Sequence, residues 1–176
     1  MSANASDDLS LKIIQYRDRA AVTRRCHYLA STKADENNMR LGIPVVVITA
    51  LVGTSIFATL QENPSVYIKI AAGILSLSAT ILAALQTYLA FSERSAKHKE
   101  AGAKYAAIWR RLDLLHLELK NSGEAFQQSA IEELKKIVAV LDEAGKESLS
   151  VPDWIYDISL ADFNSRKRDV NAPIPE

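Results

Sequence analysis

Leu41–Gln61 reads LGIPVVVITALVGTSIFATLQ and Ile70–Ser92 reads IAAGILSLSATILAALQTYLAFS, and neither stretch holds a charged side chain. At about 1.5 Å of rise per residue, each forms a helix roughly 31–35 Å long, against a bilayer hydrocarbon core of about 30 Å. Only residues 62–69 separate them, and Asn63-Pro64-Ser65 is turn chemistry. So short a connection forces the two helices to run antiparallel, as a membrane hairpin. The competing reading is a pair of core helices in a soluble bundle, which the balance of 21 basic and 21 acidic residues would suit. Core helices of soluble domains rarely run this long without a charge, and Gly42, Pro44, Gly53 and Gly73 fit membrane helices better.

Flanking charge sets the expected orientation. Arg24, Arg25, Lys33 and Arg40 precede the first span, and Arg94, Lys97, Lys99, Lys104, Arg110 and Arg111 follow the second. The connection offers only Lys69. The positive-inside rule then places both termini in the cytoplasm, and the forty hydrophilic residues before the first span do not read as a signal peptide. The lone Cys26 permits no intrachain disulfide, in keeping with cytosolic terminal regions.

Outside the hairpin the chain reads as helix and tail. Residues 1–40 form an N-terminal amphipathic arm with Leu9, Ile13, Tyr16, Ala20, Thr23, His27, Ala30 and Ala34 alternating at spacings of four and three. This arm is expected to fray or bend near Asn37-Asn38, ahead of Gly42 and Pro44. The spans are 41–61 and 70–92, joined by the extracytoplasmic loop 62–69. Region 93–147 is cytoplasmic and helical. Its first part is expected to continue the second span as one rod to about Leu119, because proline is absent between Ser65 and Val151. Tyr105, Ile108, Leu112, Leu115 and Leu119 share one side of that rod, and Leu114 and Leu117 point away from it, with Ala103 and Ala106. One face then serves packing within the subunit and the other a neighbour, so Tyr105, Ile108, Leu112, Leu114, Leu115 and Leu117 are candidate interface residues. Asn121-Ser122-Gly123 breaks the rod before a helix carrying Ile131, Leu134, Val138 and Leu141. Residues 148–176 read as a loosely docked tail anchored by Trp154 and Ile155.

Catalytic chemistry finds no foothold. His27, His98 and His116 have no metal-ligand partners at recognisable spacing, and no phosphate loop or nucleophile elbow occurs. Neither an enzyme nor a cofactor is implied. The spans carry the stronger signal. Ala72, Ser76, Thr80 and Ala84 form an i, i+4 track in the second, and Gly42, Ala50, Thr54 and Ala58 an interrupted one in the first. Small residues at this spacing let helix backbones approach closely. Such a track serves packing within the hairpin, or assembly of several hairpins around a path lined by hydroxyls and amides such as Thr54, Ser55, Thr59 and Gln86. Two helices cannot enclose a conduit, so any pore must be oligomeric. The basic residues Arg24, Arg25, Arg94, Lys97, Lys104, Arg110 and Arg111 are topology determinants and anionic-lipid contacts, or the seat of a phosphate signal.

A membrane hairpin with a helical N-terminal arm, followed by FSERSAKHKEAGAKYAAIWRRL at residues 91–112, resembles the SLATT family of bacterial two-transmembrane effectors over roughly Leu9 to Leu141. Phe91, Arg94, His98, Tyr105 and Arg111 match its post-membrane pattern. The resemblance implies a homo-oligomeric, pore-forming effector of antiphage, abortive-infection-type defence in the bacterial inner membrane. It also implies a nucleotide-signalling enzyme, a sensor protein or a reverse transcriptase as partner, and no direct nucleic-acid binding. The fold expected is thus an all-α membrane protein. Its rivals in function are a two-span scaffold that recruits a cytoplasmic partner and, less well matched, a holin-like lysis protein.

Overall fold

The computed structural model describes residues 2–59, 65–122 and 126–170, and of 2–5, 55–59 and 168–170 the backbone alone. The turn expected at Asn63-Pro64, the side chains of Ser55, Ala58 and Thr59, the break at Gly123 and residues beyond 170 lie outside this description. Five helices follow in order: α1 Ser2–Thr59, α2 Val66–Leu89, α3 Phe91–Ser122, α4 Gln127–Glu147 and α5 Asp153–Val170. No strand occurs among the described residues. The chain divides into two units, Thr32–Ser95 and the remainder.

The unit Thr32–Ser95 contains the hairpin. Two helices are long and apolar enough to cross a membrane, and their most apolar windows are almost wholly unburied. Val46, Ile74 and Leu77 are 67%, 61% and 64% exposed. A core helix of a soluble bundle would bury such side chains, so this exposure decides for the membrane. The partly or fully covered positions of α2 are Ala72, Leu75, Ser78, Ala79, Leu82, Gln86 and Leu89, and all but Ser78 form a seam at spacings of three and four. Those of the first span, among the residues whose side chains are described, are Leu41, Gly42, Val45, Ile48, Val52 and Gly53. Gly42 permits a close approach between the spans: a methyl group there would stand 3.3 Å from Nε2 of Gln86.

In the second unit α1, α3 and α4 share one core. Ile13 and Ala20 of α1 meet Tyr105, Ile108, Leu112, Leu115 and Leu119 of α3 and Ala130, Ile137, Leu141 and Ala144 of α4. A smaller core joins α1 to α5 through Val22, Cys26, Ala30 and Ile155, flanked by Val151, Leu160 and Phe163. Every seam residue read along the arm, from Leu9 to Ala34, is buried or half-buried. Within these cores the small seam residues Ala20 and Ala30 let partner helices sit close to the arm.

Four expectations need correction. First, α1 does not fray at Asn37-Asn38 but stays helical through Pro44. One missing N–H costs a single backbone bond, and membrane helices accommodate proline. Second, the rod is not continuous: Ala90 adopts a left-handed conformation, φ 45° and ψ 40°, and its N–H donates to the Gln86 carbonyl at 3.2 Å. This caps α2, and α3 starts anew. Third, the buried stripe of α4 is Ala130, Ile137, Leu141 and Ala144, with Ile131, Leu134 and Val138 only half-covered at its flanks. Fourth, the tail is helical from Asp153, anchored by the buried Ile155 and not by Trp154, which is exposed.

Candidate functional site

The second span divides into three sectors around its axis. The seam faces α1. About a third of a turn away, at 100° per residue, lie Ser76, Thr80, Ala84 and Thr87, all exposed. Ile74, Leu77, Ile81, Leu85 and Tyr88 make a bulky third sector, also exposed. Of the track Ala72, Ser76, Thr80 and Ala84, only Ala72 touches the seam; the rest is left uncovered by the hairpin. In the first span Gly42 packs, whereas Ala50 and Thr54 are exposed. The threonine hydroxyls bond within their own helices. Thr80 donates to the Ser76 carbonyl at 2.9 Å, Thr87 to Ala83 at 3.0 Å, and Thr54 to Leu51 at 2.9 Å. Such back-bonded hydroxyls tolerate lipid, yet keep acceptor lone pairs for a neighbouring helix or water.

The seven basic residues singled out by sequence separate into three groups. Lys104 and Arg111 are tied to α4: Lys104 Nζ stands 2.8 Å from Glu147 and 3.1 Å from Glu100, and Arg111 2.6 Å from Glu133. The hydrogen bonds to Glu147 and Glu100 push the Lys104 pKa up, and that from Arg111 pulls the Glu133 carboxyl down. Arg94 and Lys97 are exposed. Arg24, Arg25 and Arg110 come together in a cleft of about 890 Å³ between α1, α3 and α5.

That cleft is the most distinctive polar feature of its unit. α1 contributes Arg17, Asp18, Arg24, Arg25 and Tyr28; α3 contributes Trp109, Arg110 and Asp113; α5 contributes Asp162, Phe163, Arg166 and Lys167. Arg17 pairs with Asp113 at 3.1 Å, and Lys167 with Asp18 at 2.7 Å. Asp162 takes both Arg25, at 2.9 Å, and Arg166, at 3.0 Å. Arg25 Nε and Asp162 Oδ2 make a close ion pair without hydrogen-bond geometry. Arg24 lies over the Trp109 ring, 5.0 Å from its centroid. Tyr28 rests against Gly102, where a methyl group would meet the ring at 3.0 Å, so a glycine is needed for that approach.

The histidines also find partners. Nδ1 of His27 and Nδ1 of His98 are 3.0 Å apart in a buried contact, and His27 stacks on Tyr105 at 5.5 Å between centroids. One Nδ1 must donate and the other accept, which two neutral rings of opposite tautomer satisfy. Burial, then the neighbouring His98, pulls the His27 pKa down to about 4. His116 Nδ1 lies 3.3 Å from the Ser10 hydroxyl. Burial pushes the Cys26 thiol up, so it stays protonated and unreactive.

Of the six candidate interface residues, Tyr105, Ile108, Leu112 and Leu115 are buried within the chain's own core, and Leu114 and Leu117 are 59% and 49% exposed. Sequence reasoning missed Arg17, Asp18, Asp113, Asp162, Arg166 and Lys167 as parts of one cleft. The run Arg166-Lys167-Arg168 is visible in the sequence, but in a segment that reads as a tail; only its helical form brings Lys167 to Asp18 of α1.

Neither the curated proteins nor the solved structures yield a match to this sequence. A family model does match, over residues 9–139, from the arm through both spans and α3 into α4. Its description is SMODS and SLOG-associating 2TM effector domain family 4. With the exposed two-span hairpin already in hand, the chain therefore belongs to this family of two-transmembrane effector domains.

Proposed function

We propose that this protein is a gated, pore-forming effector of a bacterial antiphage defence system. It would assemble in the inner membrane with both termini in the cytoplasm, and open on a signal from a partner. The observation that carries this reading is the uncovered sector of Ser76, Thr80, Ala84 and Thr87 on the second span. A hairpin serving only as an anchor has no need of a small, hydroxyl-bearing strip beside its bulky lipid-facing side. Hairpins arranged side by side can bury that strip against one another or around a water path. The ion pairs and cores of the helical unit need no catalytic role, and we infer that the chain is not an enzyme.

Two measurements test the proposal. Ser76→Leu and Thr80→Leu keep the span apolar and helical, so membrane abundance should hold. Each should abolish triggered depolarisation and growth arrest, whereas Ile81→Leu, in the bulky sector, should be mild. Full depolarisation by an abundant Thr80→Leu variant would sink the pore assignment. For topology, cysteine at Asn63 should react with a membrane-impermeant thiol reagent in intact cells, and cysteine at Asn171 should not. Cys26 can stay in place, because it is buried.

A further inference from the structure

We propose that the cleft between α1, α3 and α5 is a binding site for a nucleotide: a planar heterocycle carrying two or more phosphate charges. The cleft gathers six cationic side chains against three carboxylates, in a chain whose formal net charge is zero. The carboxylates are taken up by Arg17, Lys167, Arg25 and Arg166. Arg24 and Arg110 are left without a carboxylate among the described residues. Like charges brought together without counter-charge repel, and an occupant bearing several negative charges removes that repulsion. Guanidinium groups are the forks that bind phosphate oxygens in pairs, and their planes also stack on rings.

The aromatic lining narrows the class. Trp109, Tyr28 and Phe163 all border the cleft. Arg24 is already held over Trp109, and the Lys167 ammonium lies 5.8 Å from the Phe163 centroid. Rings interleaved with cations bind bases by stacking and their phosphates by charge, an arrangement that inorganic phosphate or a lipid headgroup uses only by half. The volume, about 890 Å³, falls in the range of about 300–1,000 Å³ typical of small-molecule sites and accommodates a nucleotide. The site rests on the cleft alone and holds whether or not the spans conduct.

The test is calorimetric titration of the full chain in detergent with ATP, GTP, a cyclic dinucleotide and inorganic pyrophosphate, plus competition by phosphatidylglycerol vesicles. At least one nucleotide should bind at one per chain, more tightly than pyrophosphate, with affinity falling as salt rises. Arg110→Ala should weaken it by about tenfold, the effect of losing one charge-assisted contact. Arg110 is exposed and makes no ion pair among the described residues, so this variant should fold. Trp109→Phe keeps the packing and should lower nucleotide affinity but not pyrophosphate affinity. Lys136→Ala on α4, outside the cleft, should change nothing. The assignment is overturned if no nucleotide binds, if pyrophosphate binds equally well, if Arg110→Ala is silent, or if the vesicles displace the nucleotide. Conductance is not read, so failure here leaves the pore proposal standing.

Discussion

At the scale of single residues, the buried His27–His98 contact makes stability depend on pH. His27 holds a pKa of about 4 in the folded chain against 6.5 ordinarily, so between those values the unfolded state binds a proton that the folded state refuses. Stability is therefore full above about pH 6.5, falls as pH drops through the window, and levels off below about 4. The loss amounts to about 3 kcal/mol, because each pH unit between the two values contributes roughly 1.4 kcal/mol. The thermal midpoint of the detergent-solubilised protein should drop steeply from pH 6.5 to 4.5, and His27→Gln should flatten that slope. An equal slope in the variant would place the titration elsewhere. His27 is legible in the sequence as a seam position of the arm. Its partner is not, because the two stand 71 positions apart and nothing local marks the pairing.

At the scale of elements, the break at Ala90 has an opposite-sign signature. Left-handed backbone costs an alanine about 1–2 kcal/mol, and glycine does not incur that cost. Ala90→Gly should thus leave stability unchanged or raise it by up to about 1 kcal/mol, while Ala83→Gly inside α2 should lower it by about 1 kcal/mol. Thermal midpoints of the two variants decide the matter; equal losses would mean that α2 and α3 are one helix. No sequence signal could have located this break, since alanine is the best of helix formers. The spans and the arm are readable because one periodicity governs each of them, and burial follows it residue by residue from Leu9 to Ala34. The fifth helix hides for the converse reason. Its inward face places the buried Ser159 and the cleft residue Asp162 between Ile155 and Phe163, so polar side chains break its apolar pattern.

At the scale of the whole molecule, each half leaves a surface that one chain does not use. Leu114 and Leu117 stand out on α3 while Leu112 and Leu115, on its other side, close the core. The two faces of one helix therefore predict two different phenotypes. Leu112→Ala removes a fully buried side chain and should cost about 2–5 kcal/mol of folding stability. Leu114→Ala with Leu117→Ala removes exposed side chains and should change the folding of a single chain by only about 0.5 kcal/mol each. If these leucines meet another copy, the double variant should lower the oligomer size in detergent while the thermal midpoint of the dissociated chain holds. Light scattering across a dilution series separates the two effects, because weakened assembly shows as a concentration-dependent mass and lost folding does not. An oligomer of unchanged size and midpoint would show that α3 contributes nothing to assembly. Contacts between copies would then be sought elsewhere, first on the uncovered strip of Ser76, Thr80 and Ala84 in the membrane and next on the exposed Trp154, Tyr156 and Ile158 of α5.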